Sequence, residues 1–329
     1  MPERFRPASI LGMIVRETTH PVVEGAKLVS LDDDAIEAWA CAVDAADLKP
    51  AAHEMLAHLP GSREQLANLI LLIDALNFCF WSDDPIRIQW RGQTYERFNA
   101  MFVSLLLAAK FEPRWFRADY WLSVPGAEIR EILGGKGQGQ LLLLDERERI
   151  VREVASTLLE RFDGQFAYAV ETVNGRAWPL AVLLMTNFDS FRDVSNYHGK
   201  AVYFLKRAQI CALDLSIAWQ THGYNPLDGA HELTAFADYR VPQALRHLGI
   251  LKLVPDLATA VDDGEELARE SDGEIEIRAA TIQAVERMCL AASKCGKKAE
   301  IWQIDWYLWL LSHHEDVRVN HHRTRTVFY

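Results

Sequence analysis

The sequence predicts a mainly α-helical fold, organised as one compact domain over residues 1–329. Three observations predict it. Apolar residues recur at helical spacing along most of the chain. Residues that start and stop helices bracket those stretches. Strand-like alternation is confined to short segments, and no internal repeat is visible. Half of the residues are hydrophobic, so the chain can bury a sizeable core without covalent staples.

Taken in order, Asp32 to Ala46 opens on three aspartates, which suit a helix N-terminus, and sets Ile36, Trp39 and Val43 on one stripe. Leu59-Pro60-Gly61-Ser62 predicts a turn, with Ser62 capping a helix that runs to about Phe78. Leu66, Leu69, Ile70, Ile73 and Leu76 form its inward face. Ile86 to Arg91 alternates Ile86, Ile88 and Trp90, which predicts a short strand ending at Gly92 and places any minor β hairpin near residues 85–95. A helix from Thr94 to Lys110 follows. Gly134-Gly135-Lys136-Gly137-Gln138-Gly139 lacks a Gly-Lys-Ser/Thr sequence and a clear preceding strand, so it reads as a flexible loop rather than a phosphate cradle. Further helices are predicted at Asp145–Phe162, Trp178–Thr186, Lys200–Gln220, Glu274–Ala292 and Ala299–His313. Asp262 to Gly273 is acidic and reads as an exposed loop.

The net charge is −11. Gripping a long nucleic acid requires a basic face to neutralise phosphates, so DNA and RNA are poor partners for this chain. The five cysteines, Cys41, Cys79, Cys211, Cys289 and Cys295, are scattered and form no C-x-x-C pair. They predict buried thiols in a reducing compartment. The start, Met1-Pro2-Glu3-Arg4-Phe5-Arg6, has no apolar signal core, and no uncharged run approaches membrane-spanning length. A cytoplasmic protein without membrane contact is expected.

Several polar residues interrupt apolar surroundings. Phe236-Ala237-Asp238-Tyr239-Arg240-Val241-Pro242-Gln243 places a carboxylate just before a helix predicted over Val241–Leu248 and stopped at Gly249. The plain reading is a helix cap or a pair with Arg240; the functional one is an acid of perturbed strength. Asp74 lies on an apolar face, one turn from Ile70 and Phe78, where a structural cap or buried ion pair explains it. Phe78, Phe80 and Trp81 offer flat surface for the core or for a planar base. Asp305 lies among Trp302, Trp306 and Trp309, an environment suited to N–H donors or a cation. Lys206 and Arg207 fall inside the predicted helix Lys200–Gln220, where they reach the surface or face an anion. Arg192 has Asp189 and Asp193 beside it, and Glu274 and Arg278 are spaced as an ordinary helix ion pair. His313, His314, His321 and His322 lack a carboxylate at ligand spacing, so no metal is expected; the end His321-His322-Arg323-Thr324-Arg325 reads as a docked basic tail. No G-x-S-x-G is present to support a serine hydrolase.

These stretches resemble the queuosine salvage proteins, the queuosine 5′-phosphate N-glycosidases. The resemblance rests on Asp74-Ala75-Leu76-Asn77-Phe78-Cys79-Phe80-Trp81, Ser190-Phe191-Arg192-Asp193, Lys206-Arg207-Ala208-Gln209-Ile210, the octapeptide around Asp238, Glu274-Ile275-Glu276-Ile277-Arg278-Ala279, Ile304-Asp305 with Leu308-Trp309, and His321-His322-Arg323-Thr324-Arg325. It covers about residues 50–329; residues 1–49 match least, and His53-Glu54 is similar to a His-Glu pair of the family. It implies one helical domain akin in shape to DNA glycosylases. It also implies hydrolysis of queuosine 5′-monophosphate, a small molecule, to queuine and ribose 5-phosphate; no metal or cofactor and a monomer are expected.

Under that resemblance Asp238 is the catalytic candidate, because N-glycoside cleavage builds positive charge on the sugar. A 7-deazaguanine has no N7 to protonate, so the enzyme must hold the base edge. Asp305 suits N1–H and the exocyclic amine, and Phe236, Phe80, Trp81 and His53 are the other base contacts. Glu300 or the face of Trp302 suits the queuine ammonium. Lys206, Arg207 and Arg240 are the candidates for the 5′-phosphate. The alternatives are a non-catalytic binder of queuosine or a related nucleoside, and a structural helical protein in which every such residue is paired.

Overall fold

The computed structural model describes residues 13–49, 55–134 and 139–329. The chain is mainly α, with fourteen α-helices among the described residues and three two-stranded antiparallel sheets. Its described residues group into two compact units. One holds residues 13–49, 193–209 and 229–325; the other holds residues 55–134, 139–192, 210–228 and 326–329.

The first unit is built on the helix Asp272–Lys294. Ser271 caps it by accepting from the Glu274 backbone N–H. Fifteen of its residues are buried, including Ile275, Ile277, Ile282 and Val285, so it is enclosed rather than amphipathic. The helices Ile14–Gly25, Asp33–Ala42, Arg240–His247 and Ile301–Leu311 pack on it. Val29–Leu31 pairs with Leu251–Leu253. Glu276 fastens this ladder. Its buried carboxylate accepts from the backbone N–H groups of Lys27, Leu28 and Val29 and from the Tyr197 hydroxyl. Burial and that neighbouring carboxylate push the Tyr197 hydroxyl well above its ordinary range.

The second unit packs the helix Arg63–Ala75 against Arg97–Phe111, Leu144–Phe162 and Phe166–Thr172. Ser62 and Gln65 form a reciprocal capping box at its start. Asn68, a buried residue of that helix, donates to the carbonyls of Phe116 and Gly164 and accepts from Phe166 N–H. Asp74 is fully buried and accepts from Asn77.

Most predicted helices are present, with ends shifted by a few residues. Two predictions need correction. The helix expected from Thr94 begins at Arg97, because Gln93–Glu96 pairs with Arg87–Trp90 to complete a hairpin. The helix expected from Lys200 begins at Lys206. Lys200–Tyr203 is instead a strand paired with Val194–Tyr197. His198 and Gly199 turn it, with φ of 49° and 82°, as a tight hairpin requires. Tyr203 therefore lies on a strand, outside the helix that Lys206 opens. The helices Ile14–Gly25, Ala118–Ser123, Gly126–Leu133, Phe166–Thr172 and Pro255–Asp262 and the Val29–Leu31 ladder had no counterpart in the prediction.

The expectation of buried thiols holds for Cys79 and Cys211; Cys289 is free but only half-buried, and Cys41 and Cys295 form a disulfide with Cα atoms 5.7 Å apart. They are 254 positions apart, so sequence spacing could not pair them. No helix among the described residues is long and apolar enough to cross a membrane. Residues 135–138 of the glycine-rich loop lie outside the described residues.

Gly139 has φ of +80°, and a Cβ built there would stand 2.0 Å from the Pro85 carbonyl oxygen. Gly139→Ala should therefore destabilise the protein by roughly 1–3 kcal/mol through strain and forced displacement. An unchanged chemical-denaturation midpoint would show that the backbone relaxes freely there.

Candidate active site

Residues 233–237 run through the first unit without regular secondary structure, yet Leu233, Ala235, Phe236 and Ala237 are buried. Their backbone groups need partners, because a buried unsatisfied amide is costly. Side chains supply them. Arg16 donates to the carbonyls of Glu232 and Leu233 at 3.1 and 3.2 Å. Gln209 accepts from Thr234 N–H at 2.8 Å. Asp305 Oδ1 accepts from Phe236 N–H at 2.8 Å. Arg278 Nε donates to the Ala237 carbonyl at 3.0 Å.

The segment ends on Asp238. Its Oδ1 accepts from the N–H groups of Arg240 and Val241, at 2.7 and 3.0 Å, where the helix Arg240–His247 begins. The capping role read from the sequence is therefore real, but it occupies one oxygen. Oδ2 has no protein hydrogen-bond partner among the described residues. The suggested pair with Arg240 is not made: the Arg240 guanidinium donates to Gln243. Asp238 is 7% exposed, so its oxygen is held at a nearly enclosed position.

Asp305, on the helix Ile301–Leu311, is equally enclosed. Burial pushes its carboxyl up to about 8; Phe236 N–H opposes the rise, the Asp238 charge adds to it, and the Lys206 ammonium opposes it. The charges of Asp238 and Lys206 thus both reach Asp305, with Phe236 attached to it through its backbone.

Lys206 and Arg207 open the helix Lys206–Thr221, at its first turn rather than mid-helix, and both are buried. The backbone N–H of Lys206 donates to Asp193 Oδ2 at 3.0 Å. Asp193 is gripped in turn by both terminal nitrogens of Arg278, at 2.9 and 2.7 Å. The Arg278 guanidinium also lies 4.0 Å over the Phe204 ring and 3.6 Å from Glu274.

Other expected contacts are placed as follows. Glu300 caps its helix and accepts from the Trp302 indole N–H. Trp306 and Trp309 stack at 5.3 Å, and His313 packs on Trp309. Phe80 and Trp81 are buried in the second unit, where Phe80 packs edge-on to Phe98 and faces the Arg147 guanidinium. His53 lies outside the described residues. The basic tail is docked: His321 packs on Tyr239, and Arg325 pairs with Glu266.

Asp193, Arg278 and Gln209 were not anticipated as site residues. Glu274 and Arg278 read as an ordinary pair, and Asp193 read as a possible partner of Arg192, which instead pairs with Asp189. The available signal was the apolar company of Arg278, flanked by Ile275, Ile277 and Ile282.

Helical scaffold and site together define a protein that seats two buried carboxylates beside a buried cation at the end of a segment fixed by side chains. The family profile described as "Queuosine salvage protein" matches residues 57–329. A protein of Sphaerobacter thermophilus named queuosine 5′-phosphate N-glycosylase/hydrolase is 40% identical over 98% of this chain and 99% of its own length. Proteins of the same name from Dictyostelium discoideum and Bos taurus are 36% and 32% identical, over 81% and 95% of this chain and 79% and 98% of their own. The chain belongs to the queuosine salvage protein family.

Burial ties stability to pH most strongly at two groups. Aspartate ordinarily titrates near 3.8 and histidine near 6.5, whereas burial moves Asp305 up to about 8 and His322 down to about 3. Folded Asp305 keeps a proton that the unfolded chain releases, so its stabilising contribution is lost as pH rises from about 4 to 8. Folded His322 refuses a proton that the unfolded chain takes up, so stability is lost as pH falls from about 6.5 to 3. The two slopes oppose each other between about 4 and 6.5, and above that the Asp305 slope continues to about 8. Thermal midpoints should fall from pH 6.5 to 8, and fall less in Asp305→Asn. Equal declines would remove Asp305 as the cause.

Proposed function

We propose that this chain is a metal-independent N-glycoside hydrolase that releases queuine from queuosine 5′-monophosphate, leaving ribose 5-phosphate, in queuine salvage. The observation that carries the reading is Asp238. One of its oxygens is pinned by two backbone N–H groups, and the other is unbonded and nearly enclosed beside Asp305. The names of the relatives support the substrate.

In this reading the bond from C1′ to the base nitrogen breaks, and its electron pair leaves with the base. Positive charge develops on the sugar, and the Asp238 carboxylate stabilises it. Water then supplies the hydroxyl to C1′ and a proton to the base. Pinning Oδ1 fixes the direction of Oδ2, so little reorganisation accompanies the charge. Asp305 already receives Phe236 N–H on Oδ1; its second oxygen serves the N–H edge of the base, against the Phe236 ring. Lys206 receives the 5′-phosphate, with Arg207 and Arg240 as further cations, and Glu300 with Trp302 serves the queuine ammonium. A monomer in the cytoplasm suits this chemistry, and the net charge of −11 favours a single nucleotide over a long nucleic acid.

Chelator-treated protein, incubated with queuosine 5′-monophosphate and followed by mass spectrometry, should release free queuine. Asp238→Ala should lower the turnover rate by about 10²–10⁴-fold while the nucleotide still binds. Tight binding without release by the parent would favour the non-catalytic binder, and near-parental turnover in the variant would take Asp238 out of the chemistry.

Asp305→Ala should weaken free queuine by roughly 1–3 kcal/mol through lost charge-assisted hydrogen bonds. Calorimetry checks this, and unchanged affinity would refute the base-binding role. Lys206→Ala should raise KM for the monophosphate more than for the nucleoside; an equal rise for both would remove Lys206 from the phosphate site.

A further inference from the structure

Arg278 stands one step behind the carboxylate and the lysine, and it touches the supports of both. Its Nε donates to the carbonyl of Ala237, the residue bonded to Asp238. Its two terminal nitrogens hold Asp193, whose Oδ2 receives the backbone N–H of Lys206. Arg278 and Asp193 are 2% and 3% exposed at the side chain, and the Phe204 ring closes one face of the guanidinium at 4.0 Å. A buried ion pair is not needed for stability alone, since packed apolar residues of equal volume often do as well. What an apolar pair cannot do is donate to a carbonyl and to a carboxylate at once in a fixed plane.

From this geometry we infer that Arg278 is a positioning residue for glycosidic cleavage, setting the separation of Asp238 from Lys206 through the Ala237 carbonyl and Asp193. The role rests on the function proposed above. Arg278 acts only through other groups. It keeps the reacting carboxylate and the phosphate-binding lysine in register, so that a substrate held at its phosphate presents C1′ to Asp238. The base edge is held separately by Asp305, on a different helix. Disturbing Arg278 therefore separates turnover from base binding.

The test compares parent, Arg278→Lys and Asp193→Asn for queuine release from queuosine 5′-monophosphate, with free-queuine affinity and the thermal midpoint measured alongside. Arg278→Lys keeps the charge but cannot span three acceptors. Its kcat should fall about 100-fold, the scale of an ångström-level misplacement, while queuine affinity stays within about threefold of the parent. Asp193→Asn keeps the volume and should lower kcat about tenfold, so the inference stays testable if the lysine variant does not fold. In a folded Arg278→Ala protein, millimolar guanidinium ion should restore part of kcat and leave the parent unchanged.

Turnover within twofold of the parent in Asp193→Asn, or in a folded Arg278→Lys, would overturn this role. So would a fall in queuine affinity by the same factor as kcat, which marks general disruption. A parent that releases no queuine would instead overturn the proposed activity itself, and this role with it.

Discussion

A peptide that crosses a protein interior without a helix or a ladder has backbone polar groups to satisfy, and that constraint governs the site. Residues 233–237 do this, and they lead directly into Asp238. Arg16, Gln209, Asp305 and Arg278 answer the backbone one group at a time, from the helices Ile14–Gly25, Lys206–Thr221, Ile301–Leu311 and Asp272–Lys294. Removing Arg278 leaves the buried carboxylates of Asp193 and Glu274 without their shared cation, a loss of about 3–5 kcal/mol in comparable buried pairs. The segment is irregular in conformation but not loose.

The same constraint explains what the sequence revealed. Asp238 was legible because it is local: an acid, a proline and a stop glycine within twelve residues describe a carboxylate before a helix. Asp305 was legible because a charge among tryptophans is anomalous wherever the helix packs. Arg278 was not, because its i, i+4 pair with Glu274, which does form, offers a sufficient local explanation, while its closer partner Asp193 lies 85 positions away. Distance also hid the Cys41–Cys295 disulfide and the Val29–Leu31 ladder. Helical periodicity found the long elements. It failed at Lys200–Tyr203, where a two-residue turn in left-handed geometry made a strand of a stretch that reads equally well as helix.

Net charge and local charge lead to different conclusions here. The chain carries 35 basic and 46 acidic residues. Lys206, Arg207 and Arg278 are nonetheless buried in the first unit. Cations enclosed in this way act at short range on what reaches them, and salt screens them far less than it screens surface lysines. The chain is net negative, and these cations sit among the buried carboxylates Asp193, Asp238, Glu274 and Asp305, an arrangement unlike the basic face that a polyanion requires.

Asp305 shows how closely support and chemistry are joined. The Phe236 N–H it accepts is structural, since without that bond a backbone donor is buried unpaired. The same bond favours the charged carboxyl, as does Lys206, whereas burial and Asp238 favour the neutral form. A phosphate arriving at Lys206 would weaken one influence favouring the anion. The N–H donors of a base arriving at the free oxygen would strengthen the other. With a nucleotide seated as proposed, its two ends would pull the protonation of Asp305 in opposite directions.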